Sequence, residues 1–377
     1  MTRKQKEAVA YGNRLVLVSL LLSLAGLVMI LSATSISAQV EQLSSYAYLQ
    51  KHAIRVLLGL VVMWIASRLD YHFMRRISFV ALMATAVLLV ICLLPGTKSI
   101  APVISGARRW VHIGILSFQP SELAKFFLIC WAAGYLVRKR EIIHKFSRGF
   151  LPFIFFAGIF FLMVLKEPDL STAFVIMLLV SLTGYLGGIK LAHLIVLALL
   201  LLPYATYKYV VKVNYRNERI TSYLEGEGDK SGVGYQAYQS KLALGSGGLS
   251  GVGLGKSKQK YFFLPAAHTD FIFSILGEEL GFLGTTVVVL AFFYLTMLGV
   301  GIAKSAPDYF GFILASGLTL MIFISALLHM AVVSGLTPTT GMPLPFFSYG
   351  GTNLVTTFWS VGILNNISRQ GQRVENG

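Results

Sequence analysis

The stretch LVLVSLLLSLAGLVMILSA, residues 15–33, decides the fold of this 377-residue chain. It carries no charge, and a helix needs about 20 apolar residues to cross a hydrocarbon core about 30 Å thick. A basic segment precedes it, as in a cleaved signal peptide, but the run is long for one, and the cleavage-like stretch Ile36-Ser37-Ala38 begins with a large residue. We interpret residues 15–33 as a retained first transmembrane span.

Similar apolar runs recur along the whole chain. Hydrophobic residues make up 55% of it and charged residues only 13%, against about a quarter in soluble domains. The ten predicted spans are residues 15–33, 53–67, 77–95, 122–137, 150–166, 170–188, 191–211, 271–303, 309–333 and 353–367. We therefore predict an all-α polytopic membrane protein: a single integral domain over residues 1–377, with a large extracytoplasmic loop at 212–270 between spans seven and eight.

Short basic segments predict the orientation, because lysine and arginine in short loops favour the cytoplasm. Such segments lie at the N-terminus, after span two (Arg75 and Arg76) and after span four (residues 138–148). With ten spans, both termini are then cytoplasmic. The 212–270 loop is also basic, but it is long enough to escape the rule. It is either an anion-attracting outer surface, for a diphosphate or lipid headgroups, or a solvated loop without a ligand.

In this topology eleven of the sixteen acidic residues lie outside. Ionisable groups at membrane depth are costly and usually face a polar cavity or a partner. Those near the outer span ends are Glu122, Lys125, Asp169, Asp270, Glu278 and Glu279. From position alone, Asp270 is as well explained by capping the helix of span eight as by chemistry. Glu278 lies about 12 Å further along that helix and about 80° around it, so the two could line one cavity without touching.

Two loops contain many glycines or prolines. Residues 245–257 end like a phosphate-binding loop, but Ser250 stands where its first glycine is required, so the glycines more simply allow a close backbone approach. Residues 334–352 contain three prolines and cannot be helical throughout. This second segment, with Ser348 and Tyr349, is either a pocket wall or a plain packed loop. Two scattered histidines, His268 and His329, do not indicate a metal site.

Seven motifs in order resemble the SEDS family (shape, elongation, division and sporulation). They are Gly106-Ala-Arg-Arg-Trp110, Gln119-Pro-Ser-Glu-Leu-Ala-Lys125, Pro168-Asp-Leu170, Gly245-Ser-Gly-Gly248, Leu264-Pro265 with His268-Thr-Asp-Phe-Ile-Phe273, Gly277-Glu-Glu-Leu-Gly281 and Pro345-Phe-Phe-Ser-Tyr-Gly-Gly351. The chain resembles the division branch more than the elongation branch. It departs from the family pattern at Glu167, usually Gln, at Ala266, usually Glu, and at Thr352-Asn353, usually Ser-Ser.

The resemblance implies a peptidoglycan glycosyltransferase of the bacterial cytoplasmic membrane. It would polymerise lipid II, a disaccharide-pentapeptide on undecaprenyl diphosphate, at the outer leaflet during division. Its expected partners are a class B penicillin-binding transpeptidase and other divisome proteins; no nucleic acid is expected. The family assigns the essential carboxylate to the position of Asp270, and suggests roles for Arg109, Glu122, Lys125, Asp169 and Ser348.

The reaction needs a base for the hydroxyl proton and cations for the departing diphosphate. Our hypothesis gives Asp270 the first role and some of Arg108, Arg109, Lys125 and Lys256 to Lys260 the second, with magnesium or manganese as a candidate cofactor. The candidate substrate-binding residues are Arg108, Arg109, Trp110, Glu122, Lys125, Asp169, Lys256, Lys260, Glu278 and Ser348. The rival hypotheses are a lipid II flippase and a noncatalytic scaffold for cell-wall synthesis proteins.

Overall fold

A computed structural model describes residues 3–44, 46–104, 106–114, 116–206, 212, 218, 221, 223 and 234–370. Its helices are α1 (Arg3–Val40), α2 (Ala47–Arg68), α3 (His72–Leu93), α4 (Pro120–Arg138), α5 (Leu151–Lys166, extended at its start by a π-helical turn, Phe146–Phe150), α6 (Leu170–Leu186), α7 (Leu191–Thr206), α8 (Tyr235–Ser246), α9 (Ile272–Lys304), α10 (Tyr309–Val333) and α11 (Thr352–Gln370). Strands β1 (Val111–Ile113) and β2 (Leu116–Phe118) form a small antiparallel hairpin.

Each of the ten predicted spans coincides with a helix, although the last residues predicted for span seven lie outside the described part of the chain. Within the described residues, six helical segments are long and apolar enough to cross a membrane: Gln5–Val40, Ala47–Arg68, His72–Leu93, Phe146–Lys166, Ile272–Lys304 and Tyr309–Val333. A mostly helical, multi-pass architecture is therefore confirmed, with the β1–β2 hairpin as a departure from the all-α prediction, while the count of ten spans stays a prediction. Most of residues 213–233, in the predicted outer loop, also lies outside the described residues.

Contacts between helix ends define two ends of the bundle. At one end, Ser32 of α1 donates a hydrogen bond to Glu279 of α9 at 2.6 Å, and Asn353 of α11 donates one to Glu122 of α4 at 2.8 Å. This end, called the carboxylate end below, holds Glu122, Glu279 and their neighbours. At the opposite end, the Tyr71 backbone N–H donates to the Asn366 side chain at 3.0 Å.

Helix α9 is broken at Gly281, which has φ 66° and ψ −164°. The glycine-rich stretch from Gly247 to Gly253 packs directly on this break. Its Val252 and Gly253 N–H groups each donate to a carbonyl of α9 at 3.0 Å. A Cβ added to Gly251 would lie 2.1 Å from the Glu279 carbonyl oxygen. The close backbone approach predicted for these glycines is thus an approach to α9.

The segment from residue 334 to residue 351, between α10 and α11, is irregular, as its prolines predict. Its Met342 carbonyl accepts a hydrogen bond from the buried His329 ring at 2.7 Å. Phe346 and Phe347 are buried, and Phe346 lies edge-on to Phe358 of α11. Irregular backbone at this depth is tolerated because it is packed on protein. The segment therefore forms a fixed wall at the carboxylate end.

Candidate functional site

Asp270 lies in the turn that precedes α9. The N-cap position of that helix is Phe271, so Asp270 does not take it. A Cβ added to Gly341 would lie 3.4 Å from the Asp270 Oδ2, so the carboxylate faces the irregular segment where that segment has no side chain. The Asp270 side chain is half-buried, which leaves it reachable from outside the protein.

Two hydrogen bonds hold the turn of Asp270 against the irregular segment. Ser348 Oγ donates to the Thr269 carbonyl at 2.6 Å and accepts from the Leu344 N–H at 2.8 Å. The Tyr349 N–H donates to the His268 carbonyl at 2.9 Å. Ser348, a predicted site residue, therefore positions the residues directly before Asp270.

An aromatic cluster borders this turn, and Arg55 of α2 covers one of its rings. The Tyr349 ring lies 5.6 Å from the His268 ring and 5.5 Å from the Tyr48 ring. The Arg55 guanidinium lies 4.5 Å from the Tyr349 ring centroid, and His52 stacks on the same ring at 5.9 Å. Burial lowers the pKa of His268, and the nearby Glu41 only partly opposes this shift. His268 is therefore neutral at pH 7, and Arg55 supplies the positive charge of the cluster.

Glu122, Lys125 and Asn353 form a second polar group at the carboxylate end. Lys125 Nζ lies 2.8 Å from one Glu122 oxygen, and Asn353 Nδ2 donates to the other at 2.8 Å. Glu122 and Lys125 are 3% and 2% exposed, so the ion pair is fully desolvated. Such a pair needs good geometry and further hydrogen bonds, and Asn353 supplies one.

Asp169 caps the start of α6. Its carboxylate accepts hydrogen bonds from the backbone and side chain of Thr172 at 3.0 and 2.9 Å. The Gln119 side chain reaches the same carboxylate at 3.4 Å, while the Gln119 N–H donates to Thr352 Oγ1 at 2.8 Å. Gln119 therefore ties α6 to the start of α11, next to Asn353.

The two predicted arginines bind backbone carbonyls. Arg108 donates to the Leu94 carbonyl at 2.5 Å, and Arg109 donates to the carbonyls of Glu167 and Pro168 at 3.0 and 2.7 Å. These bonds fix the segment directly before β1, which ends with the half-buried Trp110. In this conformation both arginines anchor the hairpin.

Glu167 is 1% exposed, and neither carboxylate oxygen has a hydrogen-bond partner of nitrogen or oxygen among the described residues. The neighbouring Cys92 thiol is only a weak donor. Burial, reinforced by the charge of Asp169 and opposed by Arg109, raises the pKa of Glu167 to about 8. At pH 7 the carboxyl group is mostly protonated.

Glu278 and Glu279 anchor the loop before α9. Glu278 accepts hydrogen bonds from the Ser257 hydroxyl and from the Lys258 and Gln259 N–H groups. Lys260 Nζ lies 3.4 Å from Glu279 and 2.5 Å from the Gly255 carbonyl. Lys256 remains exposed. The structure thus uses Glu278 to hold the loop before α9 and places Lys260 within that loop.

Three residues that were not predicted as site residues lie at this end of the bundle: Arg55, His52 and Asn353. Arg55 lies inside the predicted span 53–67, and a charged residue within a span could have marked it as a site residue. Asn353 was visible only as a departure from the family pattern, because its contact with Glu122 comes from the packing of α11 on α4. For a metal ion, the described residues contain no cluster of three or more His, Cys, Asp or Glu side chains. The candidate divalent cation therefore stays a prediction.

A cavity of about 420 Å³ lies between α8 and α9, lined by Leu244, Phe273, Phe282 and Leu290 among others. It contains no titratable side chain and does not include Asp270. It therefore offers no acid–base chemistry.

Comparisons with known proteins show the family to which this chain belongs. The sequence model of the family described as "Cell cycle protein", which covers FtsW, RodA and SpoVE, matches residues 13–373. The chain is 39% identical over 363 residues to the probable peptidoglycan glycosyltransferase FtsW of Geobacter sulfurreducens, covering 96% of each chain. It is also 39% identical over 355 residues to stage V sporulation protein E of Bacillus subtilis, covering 94% of this chain and 96% of the relative.

Solved structures share the fold. A chain from the study "Structural coordination of polymerization and crosslinking by a peptidoglycan synthase complex" matches with a TM-score of 0.77 and 25% identity, over 95% of this chain and 97% of that one. The rod shape determining protein RodA of Thermus thermophilus matches with a TM-score of 0.66 and 23% identity, over 94% and 96%. The chain therefore belongs to the FtsW, RodA and SpoVE family, the SEDS family that its motifs resemble, and within it the chain is FtsW-like.

Proposed function

We propose that this protein is a peptidoglycan glycosyltransferase that polymerises lipid II into glycan strands. The relatives named probable peptidoglycan glycosyltransferase align over nearly the whole chain. The observation that carries the proposal is the placement of Asp270. Its carboxylate faces the irregular segment, and that segment's Ser348 and Tyr349 hold the preceding residues in place.

Asp270 acts as the general base. It removes the proton from the sugar hydroxyl of one substrate as the oxygen attacks the anomeric carbon of the other. The bond from that carbon to the diphosphate breaks, and the lipid diphosphate leaves with the bonding electron pair. One carboxylate suffices because a diphosphate is a good leaving group and needs no acid, unlike the alcohol released by a glycosidase.

The reaction takes place at the outer leaflet of the cytoplasmic membrane, with ten spans and both termini in the cytoplasm. The basic segments that follow spans two and four support this orientation. A class B penicillin-binding transpeptidase is the proposed partner, in line with a structural relative that comes from a peptidoglycan synthase complex. Division is the proposed setting, with other divisome proteins as further partners, because several relatives are named FtsW.

Two assays on one preparation test this function against its rivals. The purified protein, with and without its transpeptidase, is incubated with lipid II, and glycan polymers are separated by gel electrophoresis. The same protein in vesicles, without polymerisation, is assayed for movement of labelled lipid II between leaflets. We expect polymers and no lipid movement. Lipid movement without polymers would support the flippase, and neither activity, in a folded complex, would support the scaffold.

A further inference from the structure

The cations predicted to hold the diphosphate are mostly engaged elsewhere. Arg108 and Arg109 donate to carbonyl oxygens, Lys125 pairs with Glu122, and Lys260 lies next to Glu279. Each would have to abandon a protein contact to bind the substrate. A cation near Asp270 that keeps no such contact would bind the diphosphate without that loss.

Arg55 meets this need because the protein leaves its charge unpaired. It is half-buried on α2, eight residues after the helix begins, which places it about 12 Å along the helix axis. Within the described part of the chain it forms no ion pair and donates no hydrogen bond; its recorded partner is the Tyr349 ring. A charge at membrane depth is costly unless it faces a polar cavity or a ligand.

His52, one turn earlier on the same helix, is a second polar side chain whose hydrogen-bonding groups are unsatisfied. It is fully buried, and neither ring nitrogen has a hydrogen-bond partner among the residues that the structure describes. It stacks on the same Tyr349 ring that Arg55 covers. Buried polar groups are normally satisfied, so an unsatisfied one beside an unpaired arginine indicates a place for a polar ligand.

The surroundings of Arg55 connect it to the catalytic carboxylate. Tyr349, under its guanidinium, is hydrogen-bonded to His268, two residues before Asp270. A Cβ added to Gly351 would lie 3.6 Å from Arg55 Nε and 3.8 Å from the Ser117 carbonyl, so the backbone passes close to the arginine without a side chain. Arg55 thus lies where the irregular segment passes from Asp270 to the hairpin.

We propose that Arg55 binds a phosphate group of the lipid diphosphate. The inference rests on the proposed function, because that reaction supplies the ligand. A guanidinium presents several N–H donors in a plane that matches phosphate oxygens, and stacking on Tyr349 orders it before the ligand arrives. Bound there, the diphosphate has part of its negative charge neutralised by a guanidinium that contacts no carboxylate among the described residues.

The test compares Arg55→Gln and Arg55→Lys with the parent in the reconstituted complex. A matched control is Arg68→Gln, because Arg68 lies on the same helix, also stacks on an aromatic ring at 4.7 Å, and is at the opposite end. Polymerisation rates over a range of lipid II concentrations give KM and kcat, and inhibition by undecaprenyl diphosphate alone probes the anion subsite.

We expect Arg55→Gln to raise KM about ten- to a hundredfold, the usual cost of a lost charged hydrogen bond, and to weaken inhibition by undecaprenyl diphosphate similarly. Arg55→Lys should retain part of the affinity for lipid II and part of the inhibition by undecaprenyl diphosphate. Arg68→Gln should match the parent in both measurements. A higher KM with unchanged inhibition would assign Arg55 to another anionic group, such as a peptide carboxylate, and overturn the proposal. Unchanged kinetics would also overturn it. An inactive parent would instead refute the proposed function.

Discussion

At the scale of single residues, the buried carboxyl group of Glu167 destabilises the folded protein at neutral pH. Burial holds its proton up to about pH 8 in the folded protein, whereas the unfolded chain releases it near pH 4.5. Unfolding therefore releases a proton between these values, and stability falls as the pH rises from about 4.5 to about 8.

Replacing Glu167 by Gln, the residue usual in the family, should remove this loss. We expect Glu167→Gln to stabilise the protein by about 1 to 3 kcal/mol at pH 7, with a smaller gain at pH 5. Thermal unfolding in detergent at pH 7 and pH 5 measures this gain in stability. Glu141→Gln is the control, because Glu141 is exposed. An equal gain at both pH values would show that the carboxyl group is not the cause.

For the buried Glu122–Lys125 ion pair we expect the opposite result: removing one charge should destabilise the protein. Lys125→Met leaves the Glu122 carboxylate buried with only Asn353 as its partner, which should cost about 3 to 5 kcal/mol. The double variant Glu122→Gln, Lys125→Met removes both charges and should recover most of that loss. Unfolding of the parent, Lys125→Met, Glu122→Gln and the double variant forms a double-mutant cycle. Additive losses would mean that the two side chains are not coupled.

At the scale of elements, hydropathy predicted where the helices lie but not how they are interrupted. The break at Gly281 depends on Gly251 and its neighbours, which approach α9 from a distant part of the sequence. The partners of Glu278 and Asn353 come likewise from other elements, so no local pattern could reveal them. Asp270 was found through a family motif, because its position alone equally suggested a helix cap.

The contact between the glycine stretch and α9 can be tested by one methyl group. Gly251 has φ +81°, and its added Cβ would overlap the Glu279 carbonyl oxygen. Gly251→Ala should therefore detach the loop from α9 and increase its cleavage in limited proteolysis. Gly245→Ala is the control, because nothing lies within 4 Å of its added Cβ. Equal protection of both variants would contradict the packing described for this loop.

At the scale of the whole molecule, the polar groups gather at one end of the bundle, and the proposed reaction requires that end to be extracytoplasmic. Both native cysteines are buried, so an introduced cysteine should dominate labelling. Lys51, at the carboxylate end, and His144, between α4 and α5, are exposed. In intact cells a membrane-impermeant maleimide should label Lys51→Cys but reach His144→Cys only after permeabilisation. The reverse pattern would invert the topology.

The role of Asp270 is tested most directly by initial rates of lipid II polymerisation in the reconstituted complex with its transpeptidase. Asp270→Asn keeps the shape of the side chain and removes its basicity, so the rate should fall at least about a hundredfold, the usual contribution of a general base. Asp70→Asn, exposed at the opposite end, should leave the rate unchanged. Polymerisation at the parent rate by a normally folded Asp270→Asn protein would contradict the account.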